Sequence, residues 1–381
     1  MRSLCIWFVF LTLSCPAFAA QDDPILLGAV FAKTGLAANP NVQNYTLARF
    51  AVEEINDQGG LLGRRVVLLE YDNRSSALGA RAAAERAIQD GVCAVVGPFW
   101  SSQAYAMARV LQKAGVPMIA AAATSDGISR IGDFIFQAGF LDSFQAALAA
   151  DVARTTLGAK TAAILTNIST PYSTGMAEHF SAHFKRAGGR ILHRGEYLMD
   201  TADFAAQLEA IKTHAPDIVF VPGHSRDAAL ILKQAEDMGL SATFIGGDGW
   251  SNLYQSSTFS TDLSRRHYFI SHWHTQVPIP ASRAMLARFT AARGAKAAAR
   301  INGAHILTYD AVGLFADAVR RAGSCDPAAI RRALASTIAY PGATGPITFS
   351  SHGSPIKGAV LLGVGRNKTI EYIKSIPPKK P

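Results

Sequence analysis

Ile25-Leu26-Leu27-Gly28-Ala29-Val30-Phe31 is an unbroken apolar run of strand length. Tyr45–Asp57 follows it, with apolar residues at helical spacing until Gly59-Gly60 stops them, and then comes a second strand-like run, Arg65–Tyr71. A strand buried on both faces reads as a continuous apolar run, and a parallel neighbour has to be reached by a crossover, usually a helix. This order predicts a parallel sheet covered by helices.

The pattern continues outward from this stretch. An Ala-rich helix runs through Ile88, Val92–Val96 is a short buried strand closed by Gly97-Pro98, and the helix Gln103–Ala114 leads to the strand Met118-Ile119. Near Ala159 the alternation restarts. Strands Thr161–Leu165, Ile191–Tyr197, Ile218–Val221 and Thr243–Ile245 alternate with helices Gly175–Ala187, Phe204–Thr213 and Arg226–Met238. The 381 residues are about twice a typical domain, so two tandem α/β units predict two doubly wound lobes. Open α/β sheets bind ligands at the carboxyl ends of their strands, and a cleft between lobes is the default site.

Ahead of this body, Arg2, the apolar run Leu4–Leu13 and Ala17-Phe18-Ala19 read as an export signal, residues 1–19, cleaved near Ala19. Its apolar core of about ten residues is half of what a bilayer span needs. Cys15 leaves lipidation as an alternative, although Thr12-Leu13-Ser14-Cys15 matches a lipobox poorly. With Cys5 and Cys15 in the signal, Cys93 and Cys325 remain; an oxidising compartment permits a bridge between them, and two separate, buried thiols are expected. The composition, 49% hydrophobic and 17% charged, describes a folded globular protein. The net charge of +9 is scattered along helical stretches rather than gathered into an aromatic-laced stripe, so nucleic-acid binding is not expected.

The loops after strands hold the candidate site. Gly97-Pro98-Phe99-Trp100-Ser101-Ser102 follows one strand and Ala120–Ala123, then Thr124-Ser125, another. Each places hydroxyls at an expected helix start, where free N–H groups and the dipole attract an anion. Ser and Thr are also ordinary caps, so only the pair together argues for a carboxylate receptor. Tyr172 and Asp227 follow strands of the second unit, where an acid facing the anion pocket would neutralise an ammonium. Three weaker signals stand beside these. Gly223-His224-Ser225-Arg226-Asp227 superficially matches a hydrolase nucleophile elbow but lacks its final Gly. His179/His183 and His272/His274 are metal-compatible pairs without a third ligand of obvious spacing, so no metal and no cofactor is expected.

Ala51-Val52-Glu53-Glu54-Ile55-Asn56 with Gly59-Gly60-Leu61-Leu62-Gly63-Arg64, Tyr71-Asp72-Asn73, Val95-Val96-Gly97-Pro98, Gly115-Val116-Pro117 and Phe244-Ile245-Gly246-Gly247-Asp248-Gly249-Trp250 together resemble the branched-chain amino-acid-binding proteins of ABC transporters. The resemblance spans essentially the whole mature chain and implies a type I periplasmic-binding fold, two α/β lobes joined by three crossovers and closing on ligand. It implies residues 20–141 and 275–352 as lobe 1, and 142–274 and 353–381 as lobe 2. Carried over, it gives Ser101 and Thr124 to the ligand carboxylate. The Ala122 carbonyl, Thr124 and Asp227 go to its ammonium, with Tyr172 flanking. Pro40 (or Asn39) and Ala304 stand where those relatives place aromatic walls, and Trp100 and Trp250 are candidates to refill that space. The implied protein is a periplasmic, monomeric, non-enzymatic receptor that delivers an amino acid or related small carboxylate to a membrane permease. A ligand sensor of the same fold and an exported hydrolase are the competing classes.

Overall fold

The computed structural model describes residues 23–255, 259, 263–365 and 369–378. The predicted signal, with Cys5 and Cys15, lies outside them. The first sheet is wholly parallel, in the order β2-β1-β3-β4-β5, from β1 (Ile25–Phe31), β2 (Val66–Asp72), β3 (Ala94–Val96), β4 (Met118–Ala120) and β5 (Ile135–Gln137). Helices α1 (Ala38–Asp57), α2 (Ala77–Gln89) and α3 (Ser101–Ala114) supply its crossovers. All but one residue of β1 is buried, as the apolar run requires, and each such Val, Leu or Ile contributes roughly 1.5–3 kcal/mol.

The chain then passes through residues 138–141 into a second sheet. Its parallel part is β6 (Thr161–Asn167), β7 (Arg190–Tyr197), β8 (Ile218–Val221), β9 (Thr243–Gly246) and β10 (His267–Ser271); α4 (Asp142–Asp151) precedes β6, and α5 (Pro171–Arg186), α6 (Ala205–His214) and α7 (Ser225–Asp237) separate β6 to β9. After β10 the chain returns through α8 (Pro280–Arg293), α9 (Ala295–Ala298), α10 (Ile306–Ala322) and α11 (Pro327–Ala335); the last two pack with β1 and β3 in one apolar cluster. A small antiparallel sheet, β11 (Tyr340–Gly342), β12 (Gly345–Phe349) and β13 (Pro355–Ile356), precedes a final passage to β14 (Ala359–Val364) and β15 (Ile370–Ile376). These two add antiparallel strands to the second sheet, giving β15-β14-β10-β9-β8-β6-β7.

Two local differences from the sequence reading have physical causes. Helix α1 begins seven residues before the expected Tyr45, because Asn41 is not a breaker: its Nδ2 donates to the Ala37 carbonyl (2.7 Å) and its Oδ1 accepts from Ala32 N–H (3.3 Å). Thr124-Ser125 opens no α-helix. The loop is held instead by Gln137, whose Nε2 donates to the carbonyls of Ala123 (2.9 Å) and Ser125 (3.2 Å). Nor are Cys93 and Cys325 separate. Both are partly buried and free, and their side chains meet.

Candidate functional site

The carboxyl ends of both sheets face one another across two adjoining cavities. At the end of β3, Gly97 lies at φ +106°, and a Cβ there would stand 2.3 Å from the Val30 carbonyl oxygen, so only glycine lets the strand turn this tightly into Phe99, Trp100 and Ser101. Ser101 is the first residue of α3. The residue before it, Trp100, makes no side-chain cap, which leaves the first-turn amides to a ligand. Across the cleft, a Cβ on Gly247 would meet the Tyr172 hydroxyl at 2.7 Å and Gln145 Oε1 at 2.8 Å, so glycine is what lets the segment after β9 thread between them and deliver Asp248.

The inner cavity is lined by Ser101, Ala122, Thr124, Tyr172, Trp100, Phe99, His224, Asp248, Gly249 and Ala304. Five of the seven residues expected at the site therefore converge. Its volume, about 20 Å³, is room for roughly one water, so a ligand enters only if the two sides part or a side chain withdraws. The side chain in the way is His224, stacked between Trp100 (ring centroids 4.9 Å apart) and Tyr172 (5.3 Å). Beyond that stack an outer chamber of about 340 Å³ opens, walled by Leu36, Asn39, Pro40, Phe99 and Trp100 on one side and by Asn167, Met199, Asp200, Arg226 and Asp227 on the other.

Two expected residues are placed elsewhere. Asp227 lines the outer chamber only, where its Oδ2 accepts from Tyr197 Oη (3.1 Å) and Asn167 Nδ2 (3.2 Å), with Arg226 3.6 Å from Oδ1. Trp250 lines neither cavity. It is fully buried in the core behind the second sheet, its Nε1 donating to the Val221 carbonyl (3.1 Å) and its ring occupying the space that Gly246 leaves open. The hydrolase elbow also fails on geometry: Ser225 Oγ donates to the Gly249 carbonyl (2.7 Å) and accepts from Asn252 N–H (3.0 Å), so it is a structural pin. Of the histidine pairs, His179 faces Asp126 and His183 sits beside Arg186, while His272 and His274 turn to different partners; no metal-binding cluster occurs among the described residues.

Asp248, which the sequence reading quotes within a motif but does not single out, also lines the inner cavity. Its Oδ1 accepts from Gln145 Nε2 (2.9 Å), its Oδ2 from His272 Nε2 (3.1 Å), and its own N–H donates to Gln145 Oε1 (3.0 Å). Burial works to raise its pKa, but the hydrogen bonds from His272, Gln145 and Tyr172 outweigh this and hold it below the usual carboxylate value. The neighbouring Asp142 behaves oppositely: burial first, and then the charge of Asp248, push it well above the carboxylate range. Burial also depresses His224 and His272, in His272 against the hydrogen bond and charge of Asp248. Among the described residues Asp248 has no ion pair with Lys or Arg, so the inner cavity presents one buried negative charge that a cation could neutralise.

Comparison with known proteins places this geometry in context. Residues 24–368 match the family described as Periplasmic binding protein. The chain is 29% identical over 331 residues to a Leu/Ile/Val-binding protein of Rhizobium johnstonii, covering 86% of this chain and 88% of that one. In structure it is similar to a leucine-binding protein of Thermotoga maritima, with TM-score 0.85 and 27% identity over 93% of this chain and 99% of the other. It is equally similar to a branched-chain amino acid transporter substrate-binding protein of Streptococcus pneumoniae in complex with isoleucine, with TM-score 0.84 and 29% identity over 92% of this chain and all of the other.

Proposed function

Because the chain belongs to the periplasmic binding protein family and is a solute-binding component of an ABC transporter, we propose that its ligand is an α-amino acid held in the inner cavity. The observation carrying this reading is Asp248: buried, held below the usual carboxylate value and, among the described residues, without a Lys or Arg partner, it lines the same cavity as the open first turn of α3. An anion site and a cation site across one small cavity suit a zwitterion. Ser101, Thr124 and the α3 amides hold the carboxylate. Asp248 and the Ala122 carbonyl hold the ammonium, with Tyr172 packed against them. The ligand side chain displaces the His224 ring and projects toward Leu36, Pro40, Phe99 and Trp100, which favours an apolar or aromatic one. Asp227 has no part in ammonium binding.

On this reading residues 20–141 with 275–352 move as one lobe and 142–274 with 353–381 as the other, with the ligand stabilising the closed form. The protein is a periplasmic monomer, catalyses nothing, and hands its cargo to a membrane permease; its leader is removed near Ala19. A calorimetric screen of the proteinogenic amino acids and their deaminated analogues tests the ligand class. Binding of the acids without their amino group, and of no amino acid, overturns it. Small-angle scattering with the ligand found tests closure: the radius of gyration falls on binding, and identical curves refute hinge motion.

A further inference from the structure

We propose that Cys93 and Cys325 form a disulfide in the exported protein, a covalent modification remote from the ligand cleft. Cys93 stands directly before β3, where its N–H donates to the Leu26 carbonyl (2.8 Å), and Cys325 lies in the turn between α10 and α11. Far apart in sequence, the two side chains pack on the same apolar cluster as neighbours close enough for Cys325 to perturb Cys93. A third side chain completes the arrangement: Arg64 Nη1 donates to Cys325 Sγ (3.2 Å), while Arg64 Nε is anchored on the Asp23 carbonyl (2.7 Å).

The asymmetry of the pair assigns the roles in the exchange. Burial, and then the neighbouring Cys325, push the Cys93 thiol up to about 11, which makes it the poorer attacking thiolate, while the other sulfur accepts a hydrogen bond from Arg64 Nη1 (3.2 Å). Cys325 is therefore the attacking sulfur. Its thiolate opens the disulfide of an exchanging protein oxidant, expelling one thiolate of that oxidant and leaving a mixed disulfide. Cys93 then attacks the Cys325 sulfur, its proton passing to the departing thiolate, and the oxidant leaves as a dithiol. Two hydrogens and two electrons move from the cysteine pair to the oxidant, and one S–S bond replaces another.

Both partners belong to the side of the molecule built on the first sheet. Cys93 directly precedes the strand whose far end leads to Trp100 and Ser101 at the cavity; Cys325 follows the helix whose near end comes just after Ala304. The bond thus fixes two ligand-bearing segments to each other without bridging the passages between the sheets. Its signature is a change in stability without a change in ligand affinity.

The inference rests on the exported location in the preceding reading, and the test separates the two. Chain recovered from the periplasm, and separately the full chain purified reduced and then exposed to oxidised glutathione, are alkylated under denaturing conditions without reductant and mapped by peptide mass spectrometry. The expected product in both arms is a cross-linked peptide pair joining Cys93 and Cys325, two hydrogens lighter than the sum of its parts. A bridge in the glutathione arm alone upholds the pairing and faults the location. Both thiols alkylated in both arms, or a bridge between two chains, overturns the pairing. Reduction of the bridged protein lowers its thermal midpoint by roughly 5 °C, and Cys93→Ser with Cys325→Ser matches the reduced value and ignores reductant.

Discussion

Asp248→Asn is the perturbation that most directly tests the ligand assignment. The substitution keeps shape and removes one charge. In the wild-type cavity that charge is held by Gln145 Nε2 at 2.9 Å, His272 Nε2 at 3.1 Å and the Tyr172 hydroxyl, but by no Lys or Arg side chain among the described residues. A bound ammonium supplies the missing cation in a space closed from water, and breaking a buried pair of this kind costs about 3–5 kcal/mol. At a factor of ten for every 1.4 kcal/mol, affinity for the amino acid falls between about a hundredfold and a few thousandfold. The unliganded protein is affected much less. The asparagine keeps one acceptor for Gln145 or His272 and sheds an uncompensated buried charge, so its unfolding free energy moves by less than about 2 kcal/mol. Titration calorimetry reads the first quantity and urea unfolding without ligand the second. Asp227→Asn is the paired control: it lies outside the inner cavity, held by Tyr197 and Asn167, and changes affinity by less than about threefold, under 1 kcal/mol. Wild-type affinity in Asp248→Asn, or an equal loss in Asp227→Asn, refutes the argument.

The remaining predictions concern the anion side and the buried titrating groups. Ser101→Ala with Thr124→Ala removes two hydroxyl bonds to a carboxylate, each worth about 1.5–3 kcal/mol, and weakens binding at least a hundredfold by calorimetry; the unliganded thermal midpoint falls too, because Ser101 Oγ accepts from Ser125 N–H (3.3 Å) and Thr124 bonds Asp142. Asp142 has a raised folded pKa, so the stability it contributes is present below the unfolded carboxylate value and is lost as pH rises through its folded one. Asp142→Asn keeps an acceptor for Gln145 Nε2 without that loss, so urea unfolding finds it gaining on wild type above about pH 4, by up to about 1.4 kcal/mol per pH unit. His267 and His305 run the other way: burial depresses them to about 3 and about 4, so their contribution is present above about pH 6.5 and lost as pH falls from there. His305→Gln flattens the pH 6.5-to-4 stability slope by about 1.4 kcal/mol per pH unit; an unchanged slope contradicts burial of the neutral ring.

The sheets were legible because β1, β3, β6 and β8 are short apolar runs with glycine or proline at their ends, and such runs have few alternatives inside a tandem α/β chain. What escaped the sequence was direction. Asp227 and Asp248 both follow strands of the second sheet, β8 and β9, which are neighbours. Asp227 is singled out because the resemblance carries the ammonium-binding acid to that position. In space the third residue of α7 faces the ends of β6 and β7, while the tight turn after Gly247 aims Asp248 at α3. Trp250 illustrates the same limit: only the space over Gly246, invisible in sequence, decides that the ring turns inward to Val221. His224 was read only as part of a false elbow. Its role emerges from two ring stacks contributed by residues far away in the chain.

The position of Asp248 also bears on how binding reaches the passages between the sheets. Gln145 joins its carboxylate to Asp142, the first residue after the first passage, with Nε2 at 2.9 Å from an oxygen of each acid. His272, the first residue after β10, holds the other Asp248 oxygen and stacks on Phe140 of the first passage, ring centroids 3.7 Å apart. Lys357, between β13 and β14, is fully buried; its Nζ donates to the Ala138 carbonyl at 3.3 Å and to Thr344 Oγ1, and burial, opposed by the charge of Asp310, lowers its pKa to about 8. All three chain passages therefore carry a buried polar group that reaches either Asp248 itself or the backbone of a passage that does. A cation arriving at Asp248 would offset the charge that, after burial, raises Asp142, and the same charge that opposes the depression of His272. On the proposed reading the ligand's ammonium would therefore meet the network that joins the two halves of the molecule, while its side chain would be read in the outer chamber.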